Sequence, residues 1–236
     1  MGVPRSDVIS WGSERVRAGP WRGNRDVAYL APVANSPAPS AAFVHRCLEQ
    51  LAAHGYQRVV TGALSPAEST GFLAAGFEIS QQLHLLAHDL RRVPETPSPA
   101  PLRRVSHGEI DKVLVVDHRA FPPFWRLDPS GLTDALHATP QARWRVADVD
   151  GVAGYAITGR AGRRGYLQRL AVDPDHAGRG IGAALVVDGL RWLKRWRVEQ
   201  VVVNTQLDND RALRLYERLG FRRQALGLSV LSAGIP

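Results

Sequence analysis

Tyr166-Leu167-Gln168-Arg169-Leu170-Ala171-Val172-Asp173-Pro174-Asp175-His176-Ala177-Gly178-Arg179-Gly180-Ile181-Gly182-Ala183-Ala184-Leu185 is the stretch that decides the fold. It reads as a strand over about 165–172, stopped at Asp173-Pro174, then a glycine-spaced turn, then a long helix over about 182–196. Gly178, Gly180 and Gly182 stand at alternate positions. Such spacing lets the backbone turn tightly with its N–H groups pointing one way. The helix that follows adds the positive end of its dipole. Turn and helix together make a site for a phosphate-bearing ligand, with Arg179 adding charge at the rim.

Two other glycine-rich loops fit less well. A P-loop ends in Gly-Lys-Ser/Thr, where this chain has Gly182-Ala183-Ala184. A dinucleotide fingerprint has two residues between its last glycines and an acid about twenty positions on, where the next strand ends in Asn204-Thr205. A plain strand–helix turn is the bland alternative.

Outward from this stretch, strands and helices alternate. Upstream, a short strand near 101–105 leads to a helix over 107–120, whose Ile110, Val113, Leu114 and Ala120 form an apolar face. An aromatic loop, Phe121 to Trp125, and a short helix to about Ala138 follow. Strands at 142–149 and 152–159 are joined by an Asp150-Gly151 turn. Downstream come a strand over 199–205, a helix over 209–219 closed by Gly220, and a strand-like tail from Phe221.

Pro94, Pro97, Pro99 and Pro101 block helix and central strand alike. The segment 93–102 is therefore read as a stiff linker between domains at 1–92 and 103–236. The first half partly repeats the second: helix 41–53, strand 57–62, then helix 66–75 ending at Gly76-Phe77. Thr70-Gly71-Phe72-Leu73-Ala74-Ala75-Gly76-Phe77 aligns with Arg214-Leu215-Tyr216-Glu217-Arg218-Leu219-Gly220-Phe221, which reads as an internal duplication.

Composition narrows the class. The 236 residues carry a net charge of +8, but the only lysines are Lys112 and Lys194, and the arginines are scattered. That pattern argues against a nucleic-acid partner, which would gather its charge into one tract. No apolar run is long enough for a membrane span. Met1 to Asp7 lacks the apolar core of a signal peptide, and Cys47 is the single cysteine, so a cytoplasmic protein without internal disulfides is expected.

A second motif lies downstream. Asn209-Asp210-Arg211-Ala212-Leu213-Arg214-Leu215-Tyr216-Glu217-Arg218-Leu219-Gly220-Phe221 and the glycine turn, in this order with a strand between, resemble the GNAT superfamily of N-acetyltransferases. The resemblance covers roughly 101–236. It implies an α/β fold of the α+β type, a mixed central sheet flanked by helices, in two tandem copies here. It implies acetyl-CoA as co-substrate and an amine acceptor of unknown identity, with direct attack in a ternary complex and no metal. Backbone amides of Gly178, Arg179, Gly180, Ile181, Gly182 and Ala183 would hold the pyrophosphate. Leu170, Ala171 and Val172 would pair with the pantetheine arm and polarise the acetyl carbonyl. Asn209 would contact the arm, and Tyr216 would protonate the departing thiolate.

Ala177 departs from the family pattern, which has Arg or Gln there; this removes a side chain but no amide. No general base stands out. Tyr166 and Gln168 occupy the strand where an acid is common, and His118, His137 and His176 are the remaining candidates. Phe121, Phe124 and Trp125 either wall an acceptor pocket or pack as ordinary core. The first half has Phe72 where the second has Tyr216, and Asn35-Ser36-Pro37-Ala38-Pro39-Ser40 where the second has its glycine turn, so it reads as a degenerate copy. A non-catalytic acetyl-CoA-binding regulatory protein is the rival reading.

Overall fold

The computed structural model describes residues 7–33 and 36–235; Met1 to Ser6, read above for a signal sequence, and Asn35 lie outside the described residues. In chain order the strands and α-helices are β1 (Asp7–Trp11), β2 (Glu14–Pro20), β3 (Val27–Pro32), α1 (Ala41–Ala53), β4 (Arg58–Thr61), α2 (Pro66–Ala74), β5 (Glu78–His88), β6 (Leu102–Arg104), α3 (Ile110–Ala120), α4 (Pro129–His137), β7 (Gln141–Asp148), β8 (Val152–Ala161), β9 (Arg164–Val172), α5 (Ile181–Arg195), β10 (Gln200–Gln206), α6 (Asp210–Arg218), β11 (Arg222–Arg223) and β12 (Leu228–Gly234).

The chain forms two compact units. One comprises Met1–Leu85, Asn204–Asp208 and Gln224–Pro236; the other comprises Leu86–Val203 and Asn209–Arg223. The C-terminal segment, read above with the second domain, thus belongs to the first unit. The reason is burial: Leu231 joins a core with Val16, Leu30, Phe43, Leu51 and Phe72. Within the proline-rich segment, Ala100 is buried in the core of the second unit.

In the first unit the strand order is β1-β2-β3-β4-β12-β5. β3 and β4 are parallel, and β12 runs antiparallel between β4 and β5. The fully buried Thr61 hydroxyl accepts from Leu231 N–H at 2.9 Å, which pins the inserted strand. Phe43, Val44, Cys47, Leu48 and Leu51 form the buried stripe of α1 at helical spacing. Ser65 and Glu68 close a capping box at the start of α2, where Pro66 fits because the first helical amide needs no partner.

In the second unit β6, β7, β8 and β9 are joined antiparallel, and β10 pairs parallel with β9. β11 pairs with the end of β5. One face of this sheet buries α5 through Leu185, Val186, Leu190 and Leu193. The other face buries α3 and α4 through Val113, Leu114, Val116 and Leu132, against Val146, Tyr155 and Ile157. The seat of α5 requires Gly189, since a β-carbon there would lie 2.5 Å from Thr158 Oγ1. No described helix is long and apolar enough to cross a membrane.

Candidate functional site

The site is built where β9 stops being paired on both sides. Its antiparallel register with β8 shifts by one residue: Ile157 faces Arg169 but Thr158 faces Leu167, which leaves Gln168 as a bulge. Its parallel ladder with β10 spans Arg164 to Tyr166 only. From Leu167 onward β9 keeps its ladder with β8 and has none recorded with β10. Leu170, Ala171 and Val172 lie on this stretch, so their second edge is open to an added strand.

Just past β9, Asp173 caps a short 3-10 turn by accepting from Asp175 N–H at 3.0 Å. Arg119 of α3 bridges Asp173 (2.9 Å) and Asp175 (2.8 Å) and holds the turn in place. The chain then passes Gly178 at φ +78° and Gly180 at φ +85°, both in the left-handed region that side chains resist. Gly180 is the N-cap of α5 and supplies no side-chain hydrogen bond. The first-turn amides of Ile181, Gly182 and Ala183 therefore keep their donors, next to the positive end of a 15-residue helix. A β-carbon on Gly182 would touch Val172 at 3.5 Å and Leu215 at 3.4 Å, so this turn lies close to both the open end of β9 and α6. Arg179 is exposed, 3.5 Å from His176 Nδ1.

Asn209 is the N-cap of α6; its side-chain carbonyl accepts from Ala212 N–H at 3.1 Å. Two turns on, Tyr216 is 5% exposed. Burial raises its pKa well above the ordinary value, so the phenol keeps its proton at neutral pH. The ring packs 5.6 Å from Phe221, which in turn lies edge-on to His88 at 5.1 Å. Burial lowers the pKa of His88, so that the ring stays neutral beneath this stack. The sequence reading did not single out His88, which lies more than a hundred residues upstream of Tyr216.

The aromatic loop is tethered by a network the sequence reading also missed. Asp117 of α3 has a fully buried side chain. Its Oδ1 accepts from Leu127 N–H at 2.8 Å and from Arg169 Nη2 at 2.8 Å, and its Oδ2 accepts from Arg169 Nε at 2.7 Å and Tyr155 hydroxyl at 2.5 Å. Arg169 also donates to Trp125 carbonyl at 2.7 Å and stacks on Phe121, its guanidinium carbon 3.5 Å from the ring centre. Phe124 and Trp125 meet edge to face at 5.1 Å, and Phe124 is 38% exposed, which leaves apolar surface on the loop for a ligand.

The histidines weighed as bases are held by backbone or by a neighbouring cation. His118 Nε2 lies 2.7 Å from Leu127 carbonyl, and His137 Nδ1 lies 2.8 Å from Thr133 carbonyl. Gln168 donates to Thr139 Oγ1 at 3.3 Å, while its own carbonyl oxygen is sealed without a partner. Among the described residues no group of three or more His, Cys, Asp or Glu is arranged to hold a metal.

A mixed sheet opened beside a bulged strand, next to a helix N-terminus with free amides, defines the class: a domain of the α/β type. Residues 110–221, just under half of the chain, match the Acetyltransferase (GNAT) family. It is 34% identical over 158 residues to a mycothiol acetyltransferase of Actinosynnema mirum, across 61% of this chain and 52% of the relative. To the mycothiol acetyltransferase of Amycolatopsis mediterranei it is 31% identical, across 75% of this chain and 65% of the relative. The chain spans about half the length of the first of these curated relatives. Among solved structures, a tandem GNAT protein from the clavulanic acid biosynthesis pathway superposes with a TM-score of 0.67 at 16% identity, over 100% of this chain and 85% of that one. A GCN5-related N-acetyltransferase from Kribbella flavida gives 0.64 at 18% identity, over 98% and 90%. These two likenesses carry the fold.

Proposed function

We propose that the chain is an acetyl-CoA-dependent N-acetyltransferase whose chemistry runs along the open end of β9. The observation that carries this reading is the alignment of three parts in one unit: the free strand edge at Leu170–Val172, the amide-lined turn at Gly178–Ala183, and the buried phenol of Tyr216. The pyrophosphate of acetyl-CoA sits on the amides of Gly178, Arg179, Gly180, Ile181, Gly182 and Ala183. The pantetheine arm lies along Leu170, Ala171 and Val172, near Asn209. A β9 amide donates to the acetyl oxygen and stabilises the negative charge that builds there.

The amine nitrogen attacks the acetyl carbon, and the carbon–sulfur bond breaks. The thiolate, whose thiol has a pKa near 8.5, takes a proton from the Tyr216 hydroxyl. The amine's proton leaves to water. The histidines nearest the site are already engaged, which favours an acceptor that is partly neutral at pH 7, such as an α-amine of pKa about 7.7–8.0, over a lysine of about 10.4. The exposed aromatic surface at Phe121, Phe124 and Trp125 is the proposed acceptor wall. The shared name of the curated relatives directs the first acceptor screen to mycothiol-related amines.

The experiment is a calorimetric titration with acetyl-CoA followed by a thiol-release assay over an amine panel. Saturable one-to-one binding with turnover of at least one amine is expected. Binding without turnover of any amine would favour the regulatory reading, and no binding would end both.

A further inference from the structure

β7 carries Arg143 and Arg145 two positions apart, and therefore on one face of the sheet. That face is the one α5 covers, and Asp188 of α5 meets Arg143 through two bonds of 2.7 and 2.8 Å. Arg104 of β6 stands directly opposite Arg145 in the β6–β7 ladder. Like charges directly across a ladder are destabilising, so this pairing needs a reason. Asp188 does not supply it: it is committed to Arg143 and comes no closer than 3.8 Å to Arg145 Nε.

The Nε of Arg145 is sealed from solvent without a hydrogen-bond acceptor among the described residues, and its side chain is only 17% exposed. A guanidinium carries five donors, and buried donors are nearly always satisfied. Burial, and next the charge of Arg143, lower the Arg145 pKa; Arg104 and Arg195 add to the same effect, while Asp188 opposes it. Arg104, Arg143 and Arg145 open onto a cavity of about 330 Å³, with Val105 and Trp192 among its walls. Trp192 lies twelve residues beyond Gly180, roughly 18 Å along α5 at 1.5 Å per residue, so this cavity is separate from the glycine turn.

We propose that this cavity is a second anion site, taking a small phosphate-bearing ligand whose oxygens accept from Arg104 and Arg145 while Trp192 walls its organic part. Three guanidinium groups against one carboxylate leave a surplus that a phosphate dianion neutralises, with enough acceptor oxygens for two forked donors. The size suits a small molecule; a volume near 300 Å³ is at the lower end of ligand pockets.

The test is calorimetric titration of the full chain with inorganic phosphate and with AMP at fixed ionic strength, on wild type and on the double variant Arg104→Gln/Arg145→Gln. Wild type should bind at least one probe saturably, and the double variant should lose about tenfold or more in affinity. The melting temperature of wild type should rise with the bound probe, and that of the variant should not. AMP binding tighter than phosphate would point to an ester as occupant, and equal binding to free phosphate. If the double variant fails to fold, Arg104→Gln alone, at an exposed position, gives the same reading. Equal affinity in wild type and variant, or no binding of either probe by wild type at millimolar concentration, would overturn the proposal.

Discussion

Asp117 and Arg169 form a two-pronged ion pair, Nε to Oδ2 at 2.7 Å and Nη2 to Oδ1 at 2.8 Å, inside the second unit. The pair joins helix α3 to the bulged strand β9, and its spare valences hold Leu127, Tyr155 and Trp125. The loop that carries Phe121, Phe124 and Trp125 is thereby fixed to the strand proposed to bind acetyl-CoA.

Arg169→Met should leave Asp117 as a buried carboxylate without its counter-ion. Breaking one side of such a pair costs about 3–5 kcal/mol. The urea midpoint of the variant should fall accordingly; a change below about 1 kcal/mol would mean the pair is not what holds the loop.

Tyr216→Phe should lower kcat about a hundredfold or more while leaving acetyl-CoA affinity within a few-fold. The raised pKa of Tyr216 fixes the pH behaviour. A phenol whose folded pKa lies above its unfolded value near 10 stabilises the fold fully below pH 10 and loses that contribution as pH rises further. Wild-type turnover should therefore show no loss of the acid up to pH 10. Equal kcat in the variant would remove Tyr216 from the mechanism.

Gly180→Val places a branched side chain at φ +85°, a conformation that costs about 1–2 kcal/mol for a residue with a β-carbon. Relief of that strain would swing the first-turn amides of α5. Acetyl-CoA affinity should drop more than in Arg179→Ala, which removes only an exposed charge. The reverse order in a titration series would shift the phosphate contact from backbone to side chain.

Cys47 tests the core of the first unit. Burial first, then the charge of Glu14, pushes its thiol pKa up to about 12 from 9.0. The sign is that of a raised acid: its contribution to stability is complete below pH 9.0 and lost as pH climbs toward 12. Only the thiolate alkylates, so at pH 8 iodoacetamide should modify the folded protein at least about a hundredfold more slowly than the urea-unfolded chain. Similar rates would show that the α1 stripe opens readily.

Much of the second unit is legible in the sequence because its signals are local. The spaced glycines, the alternation of the preceding strand and the Asn209–Phe221 run each act within a few residues, and α5 begins at Ile181, one residue from the expected start. The tether at Asp117 is not local. The acid sits four residues after Val113, on the apolar stripe of α3, and only Arg169, fifty-two positions away, explains why it is buried there. In β2 the run Arg15-Val16-Arg17-Ala18 does alternate exposed and buried positions, but only Val16 and Ala18 mark its apolar face, too short a signal to stand out in the sequence. The Phe221 tail reads correctly as strand, yet nothing within it says which sheet it joins. That depends on Thr61, which is 170 residues distant.

The placement of β12 has a consequence for biosynthesis. The strand that fills the gap between β4 and β5 is synthesised about 140 positions after β5 ends. At typical elongation of about 5–20 residues per second, β4 and β5 wait roughly 7–30 seconds with two unsatisfied strand edges. An early part of the sheet is thus completed late, and until β12 arrives that gap is exposed to chaperones and proteases.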